Sequence, residues 1–256
     1  MSNLRKAFEK GKAFIPFITC GDPDLETTGK IVREAVKNGA DLIELGIPFS
    51  DPTAEGPVIQ SANARALAGG ATTDKIFDLV RELRKELTIP LVFMTYANVV
   101  FSYDSERFIR TCAEIGIDGL VIPDLPFEER DEFLPICRKY RVALISMVTP
   151  ASSGRIAMIA REAEGFLYVV SCLGLTETRD GISTDLASIM NAVREVSDVP
   201  CAVRLESSTF EEAEMAAHEA DGVIAGSPLV KLIEHYGANA VVPVGELIQR
   251  MKNVIR

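Results

Sequence analysis

Eight short apolar runs recur along the chain, and amphipathic segments separate them. The runs are AFIPFIT (13–19), DLIELGI (41–47), PLVFMTY (90–96), GLVIPD (119–124), VALISMV (142–148), FLYVVS (166–171), CAVRLE (201–206) and GVIAGS (222–227). They are apolar almost throughout, as parallel strands covered on both faces are. The segments at 25–38, 74–86, 105–115, 128–139, 153–163, 184–196 and 209–219 carry apolar residues at spacings of three and four. In 74–86 these are Ile76, Phe77, Leu79, Val80 and Leu83, which predicts a helix. Residues 228–256 read as one or two more helices. Eight strand–helix units in 256 residues predict an α/β fold, a single (β/α)8 TIM barrel with extra helices. A doubly wound open sheet is the rival. It usually has fewer strands at this length and often a GxGxxG turn after strand one, where this chain reads TCGDPDLETT. No linker, low-complexity tract or charge block divides residues 1–256, so one domain is expected.

Composition narrows the function classes. The chain is 47% hydrophobic, enough for a substantial core. A net charge of -10 argues against general binding to nucleic acid or an anionic membrane, while leaving room for a local anion pocket. The start, MSNLRKAFEKGKAFIPF, lacks the apolar core of a signal peptide, and no apolar run reaches transmembrane length. A cytoplasmic protein is expected. Cys20, Cys112, Cys137, Cys172 and Cys201 form no CxxC pair and read as free buried thiols. His218 and His235 both fall in polar, helix-like segments. A histidine-based metal site or a Ser-His-Asp triad has little to work with.

In a (β/α)8 barrel the active site lies where strands end and the following loops begin. That directs attention to DLIELGIPFSDPTAEGP (41–57), where Glu44 interrupts an apolar strand. A carboxylate there is costly unless paired or hydrogen-bonded. One reading is a structural Glu tied to backbone groups. The other is an acid whose apolar setting raises its pKa and suits it to proton transfer near neutral pH. Pro48, Pro52 and Pro57 stiffen the loop that follows. Asp51 before Pro52 reads as a turn residue, and Glu55 by itself as a solvated acid.

FIPFITCGDPD (14–24), IELGIPFSDPTAEGPVIQ (43–60), MTYANVVF (94–101) and GSPLVKLIE (226–234) together resemble the alpha subunit of tryptophan synthase. The match runs in order over nearly the whole chain, and ELGIPFSDP is specific to that family. The resemblance implies a (β/α)8 barrel that cleaves indole-3-glycerol phosphate to indole and glyceraldehyde 3-phosphate by a retro-aldol reaction. It implies that Glu44 is the acid–base catalyst. Glu55 falls where the family has an Asp, in a loop reading ADGP rather than AEGP. Tyr168 matches a family Tyr near the glycerol moiety. Phe17, Thr19, Met94, Tyr96 and Val121 would help form the indole pocket. Asp51 and Asn98 would face the partner, a pyridoxal-phosphate beta subunit in an alpha2-beta2 complex that receives the indole through a tunnel. No cofactor is implied for this chain. No lysine lies within a strand candidate, which weakens a Schiff-base aldolase reading.

The phosphate end departs from the family pattern. Gly226 and Ser227 are retained before a helix whose N–H groups can face an anion. In the loop after 166–171 the family reads roughly GVTG and this chain reads Gly174-Leu175-Thr176-Glu177; Thr176 is kept and the second glycine is not. After the next strand, the family's GFGIS is replaced by Val203-Arg204-Leu205-Glu206-Ser207. Glu177 and Glu206 are expected to weaken dianion binding unless Arg204 or Arg179 compensates, and Leu205 is expected to crowd the backbone approach. Three readings stay open: an ordinary alpha chain with a local shift, one with altered phosphate-ligand specificity, and a weakly active barrel that mainly activates the beta subunit.

Overall fold

The computed structural model describes residues 3–149, 152, 154–170, 179–205 and 209–256, with the side chains of 179–185 outside that description. The strands are β1 (Ala13–Thr19), β2 (Ile43–Gly46), β3 (Leu91–Met94), β4 (Gly119–Val121), β5 (Ala143–Ile145), β6 (Met147–Val148), β7 (Leu167–Val170), β8 (Cys201–Leu205) and β9 (Gly222–Ala225). The helices are α1 (Leu25–Lys37), α2 (Pro57–Ala68), α3 (Thr73–Arg84), α4 (Ala97–Ser102), α5 (Ser105–Glu114) and α6 (Leu134–Tyr140). They continue with α7 (Ile156–Arg161), α8 (Arg179–Arg194), α9 (Phe210–Glu219), α10 (Ser227–Tyr236) and α11 (Val241–Val254).

All paired strands are parallel, in the order β5-β4-β3-β2-β1-β9-β8-β7-β6. The two ends of that order come from one apolar run. Ser146 splits 142–148 into β5, which pairs with β4, and β6, which pairs with β7. The Ser146 carbonyl accepts a hydrogen bond from the Tyr168 N–H at 3.0 Å. One run thus serves two neighbours and brings the sheet to near closure, so eight sequence runs become nine strands of a TIM barrel.

Side chains alternate between two buried layers. Ile15, Phe17, Leu42, Val92, Val121, Tyr168 and Ala202 fill the barrel interior. Phe14, Ile18, Ile43, Phe93, Leu120 and Val203 pack against the helices. The helices α2 and α4 are absent from the set expected from periodicity. The buried face of α2 is Ile59, Ala62, Asn63 and Ala66, so small and polar residues blur its apolar contrast.

A repeated device pins the register at the N-terminal face. Asp41, Asp118 and Asp221 each directly precede or lie near the start of β2, β4 and β9. Their carboxylates accept the backbone N–H of Phe14 (2.7 Å), Leu91 (2.9 Å) and Cys201 (2.8 Å) on the neighbouring strand. Each also meets a cation: Lys252 at 2.6 Å, Arg84 at 2.8 Å, and Arg194. Two charge-assisted bonds per carboxylate satisfy it where it leaves water. Fixing the register at this end leaves the opposite end free for chemistry. Cys20, Cys112, Cys137 and Cys201 are free and buried, while Cys172 lies outside the described residues. His218 and His235 are exposed.

Candidate active site

Glu44 sits on β2 in register with Phe17 of β1 and Val92 of β3. Both neighbours belong to the interior layer, so the carboxyl points into the barrel mouth, where it is 1% exposed. Its Oε1 has no hydrogen-bond partner among the described residues, and neither does the buried Thr19 Oγ1. Its Oε2 lies 3.5 Å from the Tyr168 hydroxyl, a long contact. Burial pushes the Glu44 carboxyl up to about 8; Arg204 pulls against this, and nearby Glu55 adds to it. Glu44 is therefore a neutral acid at pH 7, holding a proton at the barrel mouth.

That proton has a stability consequence. Between pH 4.5 and about 8 the folded chain retains a proton that the unfolded chain releases. This group's contribution to stability is thus greatest below pH 4.5 and declines as pH rises through about 8, by about 5 kcal/mol in all. Glu44→Gln removes the titration. We expect the variant's urea-unfolding free energy to depend less on pH across this window and to exceed that of the parent at pH 9. Parallel pH dependences would show that Glu44 ionises normally.

Glu55 is held by a stapled loop. Its N–H donates to the Pro52 carbonyl at 3.0 Å, and its own carbonyl accepts from Gln60 Nε2 at 2.8 Å. The Tyr96 hydroxyl accepts the Ala54 N–H at 2.9 Å, and the Tyr96 ring packs on Phe49 with centroids 5.2 Å apart. Asn63 on α2 accepts the Phe49 N–H at 2.9 Å. Tyr96 therefore supports the loop at the rim of the pocket, whereas Phe17, Met94 and Val121 belong to the interior layer. The outcome for Glu55 is burial, not solvation: its side chain is 3% exposed.

Its partner was not anticipated. Arg204 lies on the β8 face that carries Ala202 into the interior, and its guanidinium enters the mouth. It bonds Glu55 through both nitrogens, at 2.5 and 3.4 Å. Arg204 Nη1 is also 3.3 Å from the Tyr168 hydroxyl and 3.7 Å from Met94 Sδ. The guanidinium carbon is 5.6 Å from the centre of the Phe17 ring. Burial would lower the Arg204 pKa, but the surrounding Tyr168, Glu55 and Glu44 hold it well up. Among the described residues Arg204 pairs with Glu55; Glu177 and Glu206, whose charge Arg204 or Arg179 was expected to offset at the phosphate end, lie outside the described residues. The crowding expected from Leu205 is corrected, because its side chain packs in the outer layer toward the helices. Alternation along β8 was the available signal, since it puts Arg204 and Leu205 on opposite faces.

At the other side of the mouth, Gly226 is the N-cap of α10 and Ser227 its first residue. A Cβ at Gly226 would meet Phe17 Cδ1 at 3.2 Å and Ile59 Cδ1 at 3.4 Å, which explains the glycine by close packing. The opening N–H groups of a helix lack intrahelical acceptors and favour an anion. Thr176, Glu177 and Glu206, and the side chain of Arg179, lie outside the described residues. Asp51 is exposed, with its carboxylate accepting from the Ser50 hydroxyl at 2.5 Å, and Asn98 is exposed in the first turn of α4. Among the described residues no group of three His, Cys, Asp or Glu is placed to hold a metal ion.

Comparison with known proteins gives a consistent result. Residues 2–256 match the family described as tryptophan synthase alpha chain. The chain is 48% identical over 233 residues to the tryptophan synthase alpha chain of Lacticaseibacillus casei, covering 91% of this chain and 88% of that protein. It is 44% identical over 257 residues to the one from Lactiplantibacillus plantarum, covering 100% and 97%. Among solved structures, tryptophan synthase subunit alpha from Legionella pneumophila superposes with a TM-score of 0.89 at 37% identity, covering 100% of this chain and 98% of that one.

Proposed function

The chain belongs to the tryptophan synthase alpha chain family, and on that premise we propose that Glu44, Glu55 and Tyr168 carry out its lyase reaction. The reaction is the retro-aldol cleavage of indole-3-glycerol phosphate to indole and glyceraldehyde 3-phosphate, a step of tryptophan biosynthesis. Indole leaves poorly as a carbanion. Protonating its C3 gives an indolenine, through which the electrons of the breaking carbon–carbon bond can leave. The observation that carries the reading is Glu44, a buried acid raised to about 8 on β2 at the barrel mouth.

Glu44 donates its proton to C3, and the resulting carboxylate takes the proton of the glycerol hydroxyl next to the breaking bond. The Tyr168 hydroxyl, 3.5 Å from Glu44, steadies that carboxylate and the glycerol. Glu55 accepts the indole N–H. Phe17, Thr19, Met94, Tyr96 and Val121 bound the ring. The phosphate binds at the N-terminus of α10, on Gly226 and Ser227, with Thr176 as the third residue assigned to it.

The chain works with a beta chain, in the alpha2-beta2 assembly of the family, and the pyridoxal phosphate belongs to that partner. Asp51 and Asn98, exposed in the loop after β2 and on α4, are the residues we assign to that contact. No helix among the described residues is long and apolar enough to cross a membrane. A cytoplasmic location rests on the family alone.

One observation favours the second reading, an alpha-type barrel that mainly activates the beta chain: Arg204 occupies Glu55. Cleavage of indole-3-glycerol phosphate, assayed with and without a beta chain, separates the two. We expect turnover by the chain alone and faster turnover in the complex. Stimulation of the beta reaction with no cleavage in either case would replace the lyase reading with the second one.

A further inference from the structure

Two departures from the family pattern, far apart in the sequence, meet in the barrel mouth. Glu55 stands where the family has a shorter Asp, and Arg204 stands in the strand end where the family reads GFGIS. The longer acid and the arginine form one buried pair, 149 residues apart in the chain, with side chains 3% and 13% exposed. The guanidinium lies beside Met94 Sδ, Tyr168 Oη and the Phe17 ring. Phe17 and Met94 are residues assigned above to the indole pocket. A planar guanidinium and an aromatic ring occupy similar space, and both can lie against an aromatic face. They cannot occupy the same space at once.

We propose that Arg204 is a gate on the indole end of the site, latched to Glu55 in the free chain and displaced when an indolyl ligand binds. This rests on the assignment of the mouth as the lyase site. With Arg204 in place, both Glu55 oxygens face the guanidinium, which stands in the path by which an indole N–H would reach them from the pocket. Opening the latch clears the ring's place and frees its acceptor in a single movement. The apparent affinity for any indolyl ligand is then the intrinsic affinity reduced by the fraction of chains with the latch open. Ligands that carry an anion for α10 as well as a ring start from a higher intrinsic affinity, so they open the latch at lower concentration. The gate thus lowers both affinities by one factor, and the phosphorylated substrate keeps useful binding where free indole does not.

Equilibrium binding of indole, and of an indole-3-alkyl phosphate that lacks the glycerol hydroxyls, tests this on the full chain. The variants are Arg204→Ala, Glu55→Gln and the pair. We expect Arg204→Ala to bind indole at least about ten-fold tighter than the parent, with a gain of similar factor for the phosphate probe, since both need the same open state. In the Glu55→Gln background the gain from Arg204→Ala should shrink, because either change opens the same latch. Unchanged or weaker indole binding by Arg204→Ala, or gains that simply add, would overturn the gate. Should Arg204→Ala fail to fold, a crystal structure of the parent chain with the phosphate probe decides. Arg204 more than about 4 Å from the Glu55 carboxylate supports the gate, and an intact pair beside a bound ring overturns it. Tighter binding without cleavage in any form would sink the lyase assignment and leave the gate standing. Cleavage with unaltered binding would do the reverse.

Discussion

Glu44→Gln lowers kcat for indole-3-glycerol phosphate cleavage by about 10²–10⁴-fold while changing KM little. The amide has nearly the shape of the carboxylic acid, so Phe17, Val92 and Met94 keep their packing. It cannot deliver the proton that makes indole a leaving group. Because that proton is needed only at the barrier, the loss falls on kcat rather than on binding. The pH dependence sharpens the test. The parent requires Glu44 protonated, and its carboxyl is raised to about 8, so kcat should fall as pH rises through that value. Steady-state kinetics from pH 6 to 9 read both effects. A loss of less than about ten-fold would return Glu44 to a structural role. The same variant is expected to be the more stable protein at high pH. Activity and stability therefore make opposite demands at this position, as a strained functional group in a core strand implies.

Glu55→Ala is expected to destabilise the chain by about 3–5 kcal/mol, because it leaves the Arg204 guanidinium in the barrel mouth without its carboxylate. Arg204 is 13% exposed and cannot regain full hydration without leaving the mouth. Removing both charges together should cost less than removing Glu55 alone, since no guanidinium is then left buried without the Glu55 carboxylate. Urea midpoints of the parent, Glu55→Ala and Glu55→Ala/Arg204→Ala measure this. A single variant within about 1 kcal/mol of the parent would mean that Arg204 swings to solvent readily, and that the buried pair contributes little. The loop makes a second contribution testable in the same series. Tyr96, Asn63 and Gln60 hold the backbone around Glu55 independently of its side chain, so the unfolding transition should stay cooperative.

The barrel was legible because its signal is local and repeated. Each apolar run is long enough for a strand, each amphipathic segment is long enough to cover it, and no competing fingerprint follows the first run. β1 spans the expected 13–19, while other strands are shorter than their runs because hydrogen-bonded pairing ends before apolar composition does. Two features escaped. Ser146 splits a run in a way that only its two neighbours reveal, since one half pairs with β4 and the other with β7. The helix α2 lacks apolar contrast because its inner face is closely packed against β1 and α10, where small residues serve better than large ones.

Among site residues, Glu44 stood out because a carboxylate inside an apolar strand is costly wherever the strand goes. The structure adds why it can hold a proton: no described group neutralises its Oε1, and its nearest cation is committed to Glu55. Glu55 by itself read as an ordinary loop acid. Its burial depends on the three staples of the loop and on Arg204, none of which adjoins it in sequence.

What the amino-acid order determined by itself was therefore the strand–helix repeat, the family, and the presence of an acid within a core strand. Those are properties of neighbouring residues, whose burial cost and periodicity are nearly the same in any compact context. What only the tertiary structure decided was which face of an all-apolar strand looks inward, and hence that Arg204 enters the mouth while Leu205 turns to the helices. Closing the sheet brings residues 55 and 204 together, and the low polarity of the interior then ties two charges that would ignore each other in water.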